Sequence, residues 1–144
     1  MIGNHSYSHK YEIIYRDVDS FLVDFSKTND LLSKVLDGYT TDVIRFPGGS
    51  TYKNRKPCKD AAIKAGYQIY DWNVLIGDAD SKIKTIDEMK ALFFETLKGK
   101  NTAIILMHDF DHAQRTVEIL PWIIGQLREN GYAFGVLGRD DLYY

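Results

Sequence analysis

Apolar positions along the chain fall into runs with two different periods. Val18, Phe21, Leu22, Phe25, Leu32, Val35 and Leu36 recur at the spacing of one helix face, and Gly38 is placed to stop that helix. The run DVIRF (42–46) ends at Pro47-Gly48-Gly49, as a strand entering a loop would. A short helix follows through Ala61, Ala62 and Ala65 and ends at Gly66. The stretch YQIYDWNV (67–74), rich in aromatic and β-branched residues, predicts a strand. Residues 85–98 predict a helix with Thr85 as N-cap and Glu88 completing a capping box. TAIILMHD (102–109) is nearly continuous in apolar residues, the pattern of a strand buried on both faces. Residues 116–130 predict another helix, which Pro121 either starts near Leu120 or kinks, and FGVLG (134–138) predicts a last short strand.

Strands separated by helices imply an α/β protein built of parallel β/α units. In such folds ligands gather beyond the carboxyl ends of the strands. Arg45, Asp71 and His108 fall at the ends of three predicted strands. Each has a bland explanation alone: a surface ion pair, a capping acceptor, a satisfied polar residue. Their coincidence at equivalent positions points to one cleft. His5 and His9 are four residues apart near the N-terminus. On a helix they would share a face, and in a loop they could converge on one ion. A zinc-type site needs at least three protein ligands, so the pair alone does not define one.

The 144 residues suit one domain, with no internal repeat or linker to divide it. Hydrophobic residues make up 44% and charged residues 26%, ordinary for a globular protein. A net charge of -2, with both signs interspersed, leaves no nucleic-acid footprint. No apolar run approaches a membrane span, and MIGNHSYSHK has no apolar core of a signal peptide. The single Cys58 excludes an internal disulfide. It is most simply a structural thiol near a helix start, although flanking lysines could activate it.

Four motifs then occur in order: HSYSH (5–9), RFPGG (45–49), DWN (71–73) and LMHD (106–109). Together they resemble the polysaccharide deacetylases, the carbohydrate esterase family acting on chitin, xylan and peptidoglycan. The resemblance implies a distorted, partly open (β/α) barrel. It implies that His5 and His9 hold a divalent ion, zinc first, with cobalt or manganese as other candidates. It gives the Gly48 backbone N–H to the oxyanion, Pro47 to one groove wall, and Trp72 and Leu106 to the groove lining. His108 becomes the acid that protonates the leaving nitrogen, Asp71 its hydrogen-bond partner, and Arg45 the partner of a catalytic base. The family's T-F-D-D-G motif, which carries that base and the third metal ligand, has no counterpart here. Residues 1–144 are therefore expected to be the C-terminal portion of a deacetylase domain, an incomplete barrel lacking its first β/α units, with weakened metal binding.

The implied function is metal-dependent removal of N-acetyl groups from an amino-sugar polymer, peptidoglycan-like or chitin-like. The alternative is a remnant that binds carbohydrate or metal without turnover and self-associates, since an opened barrel exposes a strand edge. A homo-oligomer or domain swap could cover that edge. The expected partner is an acetylated polysaccharide, with no nucleic acid and no membrane span. The family usually works at the cell envelope or outside the cell. His108 and His112 repeat the H-x-x-x-H spacing, but His112 is expected to be an exposed loop histidine rather than a fourth ligand.

Overall fold

In the computed structural model, which describes residues 1–83, 85–111 and 113–137, the chain divides into two units, Met1–Asp71 and Trp72–Phe134. The first unit begins with a single helical turn, α1 (Tyr11–Ile14), too short for its periodicity to show in the sequence. The helix expected from residue 18 is α2 (Val18–Val35), started by Asp17, whose side chain accepts the Ser20 N–H. Asp37 and Gly38 stop it in left-handed backbone (φ 49° and 84°), and the Gly38 N–H turns back to the Ser33 carbonyl at 2.8 Å. Phe21 and Phe25 are buried, whereas Val35 is 69% exposed, so the apolar stripe outruns the surface it packs on.

Strand β1 (Val43–Ile44) pairs in parallel with β2 (Gln68–Ile69), joined through a 3₁₀ turn (Lys53–Arg55) and α3 (Lys56–Lys64). Asn4 adds a parallel bridge to Ile44. Phe21, Phe25, Ile44, Phe46, Cys58 and Ala62 form the core between helices and strands, with Phe21 centred 4.4 Å from Phe25 and 4.8 Å from Phe46. Aromatic pairs at this range contribute about 0.5–1.5 kcal/mol beyond their burial.

In the second unit, β3 (Val74–Leu75) pairs in parallel with β4 (Ile105–Leu106), the crossover carrying α4 (Ile86–Leu97). The capping box is present in both directions: Thr85 Oγ1 accepts the Glu88 N–H and Glu88 accepts the Thr85 N–H. Helix α5 (Gln114–Glu129) starts two residues earlier than the spacing predicts and runs through Pro121. Proline's missing N–H falls on the exposed side, where Val117 at position i−4 is 65% exposed. Val74, Ile76, Met89, Phe93, Leu97, Ile119, Ile123 and Leu127 make the second core.

The mixed α/β class and the parallel pairing therefore hold, but the strands differ from expectation. The predicted strand 67–74 is two strands in two different sheets. The polar residues between them break the ladder: Asp71 is taken up by Ser50, and the Asn73 side chain bonds the Thr102 carbonyl and the Ile104 N–H. Strand β4 is half-buried rather than buried on both faces. Residues 134–137 form no strand, and Gly138 and His112 lie outside the described residues. Among the described residues, no helix is long and apolar enough to cross a membrane.

Truncating the centre of the second core and removing its helix cap should have separable effects. Phe93→Ala is expected to cost about 3–5 kcal/mol and Thr85→Ala about 1 kcal/mol in urea unfolding. Equal losses would show that Phe93 does not anchor this core.

Candidate active site

The two N-terminal histidines sit in a loop built by side-chain-to-backbone hydrogen bonds, not on a helix. Asn4, 1% exposed, donates to the Phe25 carbonyl and to Asn29 Oδ1, both at 2.8 Å, and its own Oδ1 accepts the Ser6 N–H. Its backbone bonds the Val43 carbonyl and the Arg45 N–H, which fixes His5 beside the end of β1. Buried Asp24, on α2, accepts the Tyr7 N–H at 2.8 Å and the Ser8 N–H at 3.2 Å. Burial alone would raise this carboxyl, but hydrogen bonds from Ser8, Tyr7 and Ser6 outweigh it and hold the group below its ordinary value. Ser6 and His9 adopt left-handed backbone (φ 74° and 52°), and the His9 N–H bonds Ser6 Oγ at 2.9 Å. Such strain, about 1–3 kcal/mol per residue, persists only where the surroundings over-determine it.

The result is two imidazoles with ring centres 5.1 Å apart. His5 Nδ1 lies 2.8 Å from the Arg45 carbonyl oxygen, which can only accept. Nδ1 therefore carries a proton, and in the neutral ring Nε2 has the lone pair, the tautomer and orienting contact typical of a metal-ligating histidine. As two of the donors for a divalent ion, the pair fits. Among the described residues no group of three or more His, Cys, Asp or Glu is placed to hold an ion.

Phe46-Pro47-Gly48-Gly49 closes with a hydrogen bond from the Gly49 N–H to the Phe46 carbonyl at 2.8 Å. Proline at the second position and φ +72° at Gly48 give it the form of a type II turn. A Cβ at Gly48 would lie 2.7 Å from the Tyr11 hydroxyl and 3.1 Å from both Arg55 Nη atoms, tips that would have to shift, and the left-handed φ strains any residue other than glycine. Beyond the turn, Ser50 is anchored by Asp71 through its N–H (2.9 Å) and its hydroxyl (2.6 Å). Arg45 Nε donates to the Tyr70 carbonyl at 3.0 Å. Burial pulls the Arg45 guanidinium below its ordinary value and the Asp71 charge opposes that.

In the second unit, Gly77 (φ +70°) makes the turn that follows β3; a Cβ there would meet Ile83 at 2.8 Å and Leu92 at 2.9 Å. The turn presents buried Asp78, which accepts the His108 N–H at 2.6 Å, the Thr116 hydroxyl at 3.0 Å and the Ala79 N–H at 3.1 Å. His108 Nδ1 lies 2.9 Å from Asp78 Oδ1. A carboxylate already accepting N–H and O–H groups makes Nδ1 the donor. This corrects one assignment: the carboxylate that orients His108 is Asp78, while Asp71 anchors the Gly-rich turn through Ser50. Leu106, on β4, is half-buried, as is Trp72.

Asp78, Thr116, Asp24, Tyr15 and Arg55 escape motif matching. Asp24 has a visible signal, an acid on the apolar stripe of α2. Asp78 has a weaker one, an acid after a glycine beyond a strand. Cys58 is buried, and burial, with the nearby Asp17 charge, pushes its thiol up, so it is the structural cysteine expected.

Over 93% of its length the chain has the fold of a carbohydrate esterase: it matches a Streptococcus mutans CE4 esterase with a TM-score of 0.83 and 28% identity, covering 61% of that chain. Its curated relatives are named as polysaccharide or peptidoglycan deacetylases, and its structural neighbours include CE4 esterases and a peptidoglycan N-acetylglucosamine deacetylase. Bacillus subtilis (strain 168) YheN, provisionally named a polysaccharide deacetylase, is 32% identical over 146 residues, covering 94% of this chain. The peptidoglycan-N-acetylglucosamine deacetylase of Bacillus cereus is 25% identical over 136 residues, covering 92%. The chain spans about half the length of these curated relatives, 48% in each case. No family model matches it.

The Asp24 anchor makes a pH-dependent prediction. Because its folded value lies below the ordinary 3.8, its contribution is present above that value and is lost as pH falls through the folded one. Asp24→Asn should therefore destabilise the protein at pH 7, with the difference narrowing below about pH 4. A difference independent of pH in urea unfolding would show that the anchor does not depend on charge.

Proposed function

We propose that this chain carries out metal-dependent hydrolysis of N-acetyl groups on an amino-sugar polymer of the peptidoglycan or chitin type. The observation that supports it most is the pair His5–His9, its tautomer set by the Arg45 carbonyl, in a chain whose relatives are named for deacetylation. His5 and His9 would hold the ion, zinc first and cobalt or manganese next. When bound, a divalent ion supplies Lewis acidity that acidifies water and polarises a carbonyl.

The protein groups divide the remaining work. The Gly48 N–H, on a turn that fixes its direction, donates to the oxygen that gains charge as the acetyl carbon becomes tetrahedral. His108 delivers a proton from Nε2 to the departing nitrogen. Asp78 keeps the other proton on Nδ1 and holds the ring in one orientation. Pro47, Trp72 and Leu106 would line the sugar and methyl subsites. Arg45 and Asp71 fix the backbone that leads into the turn. A peptidoglycan-type substrate would place this activity at the cell envelope.

A second reading, binding without turnover and with self-association, is favoured by one observation: no third ligand is grouped with the histidines among the described residues. Acetate release from N-acetyl-chitooligosaccharides or peptidoglycan with added zinc separates the two. Deacetylation predicts release that a chelator abolishes and zinc restores. His108→Ala should lower kcat about 10²–10⁴-fold, and Asp78→Asn should lower kcat substantially while zinc affinity stays unchanged. Saturable sugar binding with no acetate released would establish the second reading instead.

A further inference from the structure

The peptide unit between Pro47 and Gly48 holds both the Pro47 carbonyl and the Gly48 N–H, and in a trans peptide these point in opposite directions. Whatever grips the carbonyl therefore aims the N–H. The Tyr15 hydroxyl donates to the Pro47 oxygen at 2.8 Å. From its neighbours and this bond we infer that Tyr15 is a positioning residue for the oxyanion donor, deepening the deacetylase reading on which it rests.

Tyr15 is itself rigidly placed. Its ring stacks on Phe46 with an interplanar angle of 16°, meets Tyr11 edge-on, and lies 4.4 Å beneath the Arg55 guanidinium. Arg55 is buried, also flanks Tyr11 and Tyr52, and donates to the Gly49 carbonyl. The carbonyls on both sides of Gly48 are thus held, the nearer by Tyr15 and the next by Arg55. Burial raises the Tyr15 phenol, and the Arg55 charge opposes this only in part, so the hydroxyl keeps its proton and remains a donor. A hydrogen bond to a peptide oxygen also polarises the N–H of the same peptide, which strengthens it toward an anion. Without the phenol O–H, the turn keeps its closing bond from Gly49 to Phe46, but the central peptide loses the bond that fixes its direction.

Tyr15→Phe removes one oxygen and keeps the ring packing. In the zinc-loaded chain it should lower kcat by about tenfold or more, short of the ~10²–10³ seen when a donor is deleted outright. KM should stay within about twofold, because substrate binding does not use this bond. A second readout does not require turnover: titration with acetate, followed on the Gly48 amide by ¹⁵N-resolved NMR. The parent should show a saturable shift at Gly48, and Tyr15→Phe should weaken it several-fold. Tyr132→Phe, which removes a phenol bonded to the Lys100 carbonyl, should change neither. Parent kcat, or a parent-like acetate response, in folded Tyr15→Phe would overturn the positioning role alone. A parent chain with neither turnover nor a Gly48 response to acetate would overturn the deacetylase reading and this inference with it.

Discussion

The first unit depends on a buried amide. Asn4 joins three pieces of chain at once: through its backbone to Val43 and Arg45, and through its side chain to the Phe25 carbonyl on α2, to Asn29 and to the Ser6 N–H. A buried side-chain amide that loses even one such partner costs about 1–3 kcal/mol, so the network strongly favours this arrangement. That arrangement places His5 against the Arg45 carbonyl and starts the strained loop that brings His9 within 5.1 Å. Asp24 completes the frame from α2 by accepting the Tyr7 and Ser8 N–H groups. The histidines need no helix to converge, because side chains replace the backbone ladder.

A similar economy recurs in the second unit with different residues. Gly77 makes a left-handed turn where a Cβ would crowd Ile83 and Leu92, and Asp78 at that turn holds His108 through both its backbone N–H and its ring. Thr116, from the first turn of α5, satisfies the same carboxylate. In each unit a buried polar group fixes the position of one or more imidazoles by fixing the backbone that carries them. For the proposed hydrolysis, a site held this way would need no reorganisation, which is where preorganised electrostatics gain their effect.

The helices were legible in the sequence because their signals are local. Thr85 and Glu88 announce a capping box, and Gly38 and Gly66 mark helix ends by needing positive φ. The strands were less so. Two-residue strands leave almost no periodicity, and the aromatic run 67–74 hides a break at Asp71–Asn73 whose cause is hydrogen bonding to Ser50, Thr102 and Ile104, distant in sequence. The site shows the same division. His5, His9, Gly48 and His108 stand in motifs, but the pairing of His108 was assigned to Asp71 because that residue lies in a recognisable motif. The residue that performs it, Asp78, is set by the Gly77 turn, which is legible only once the backbone is known. Tyr15 and Arg55 belong to no motif at all; they act on carbonyls of the turn 32 and 6 residues away.

The most direct test is calorimetric titration of chelator-stripped protein with zinc, repeated on His5→Ala and His9→Ala variants shown to be folded by circular dichroism. Binding of one ion per chain in the micromolar range or tighter, lost in both variants, is the expected result. Absence of binding in the folded parent, or binding that both variants retain, would contradict a metal centre built on this histidine pair.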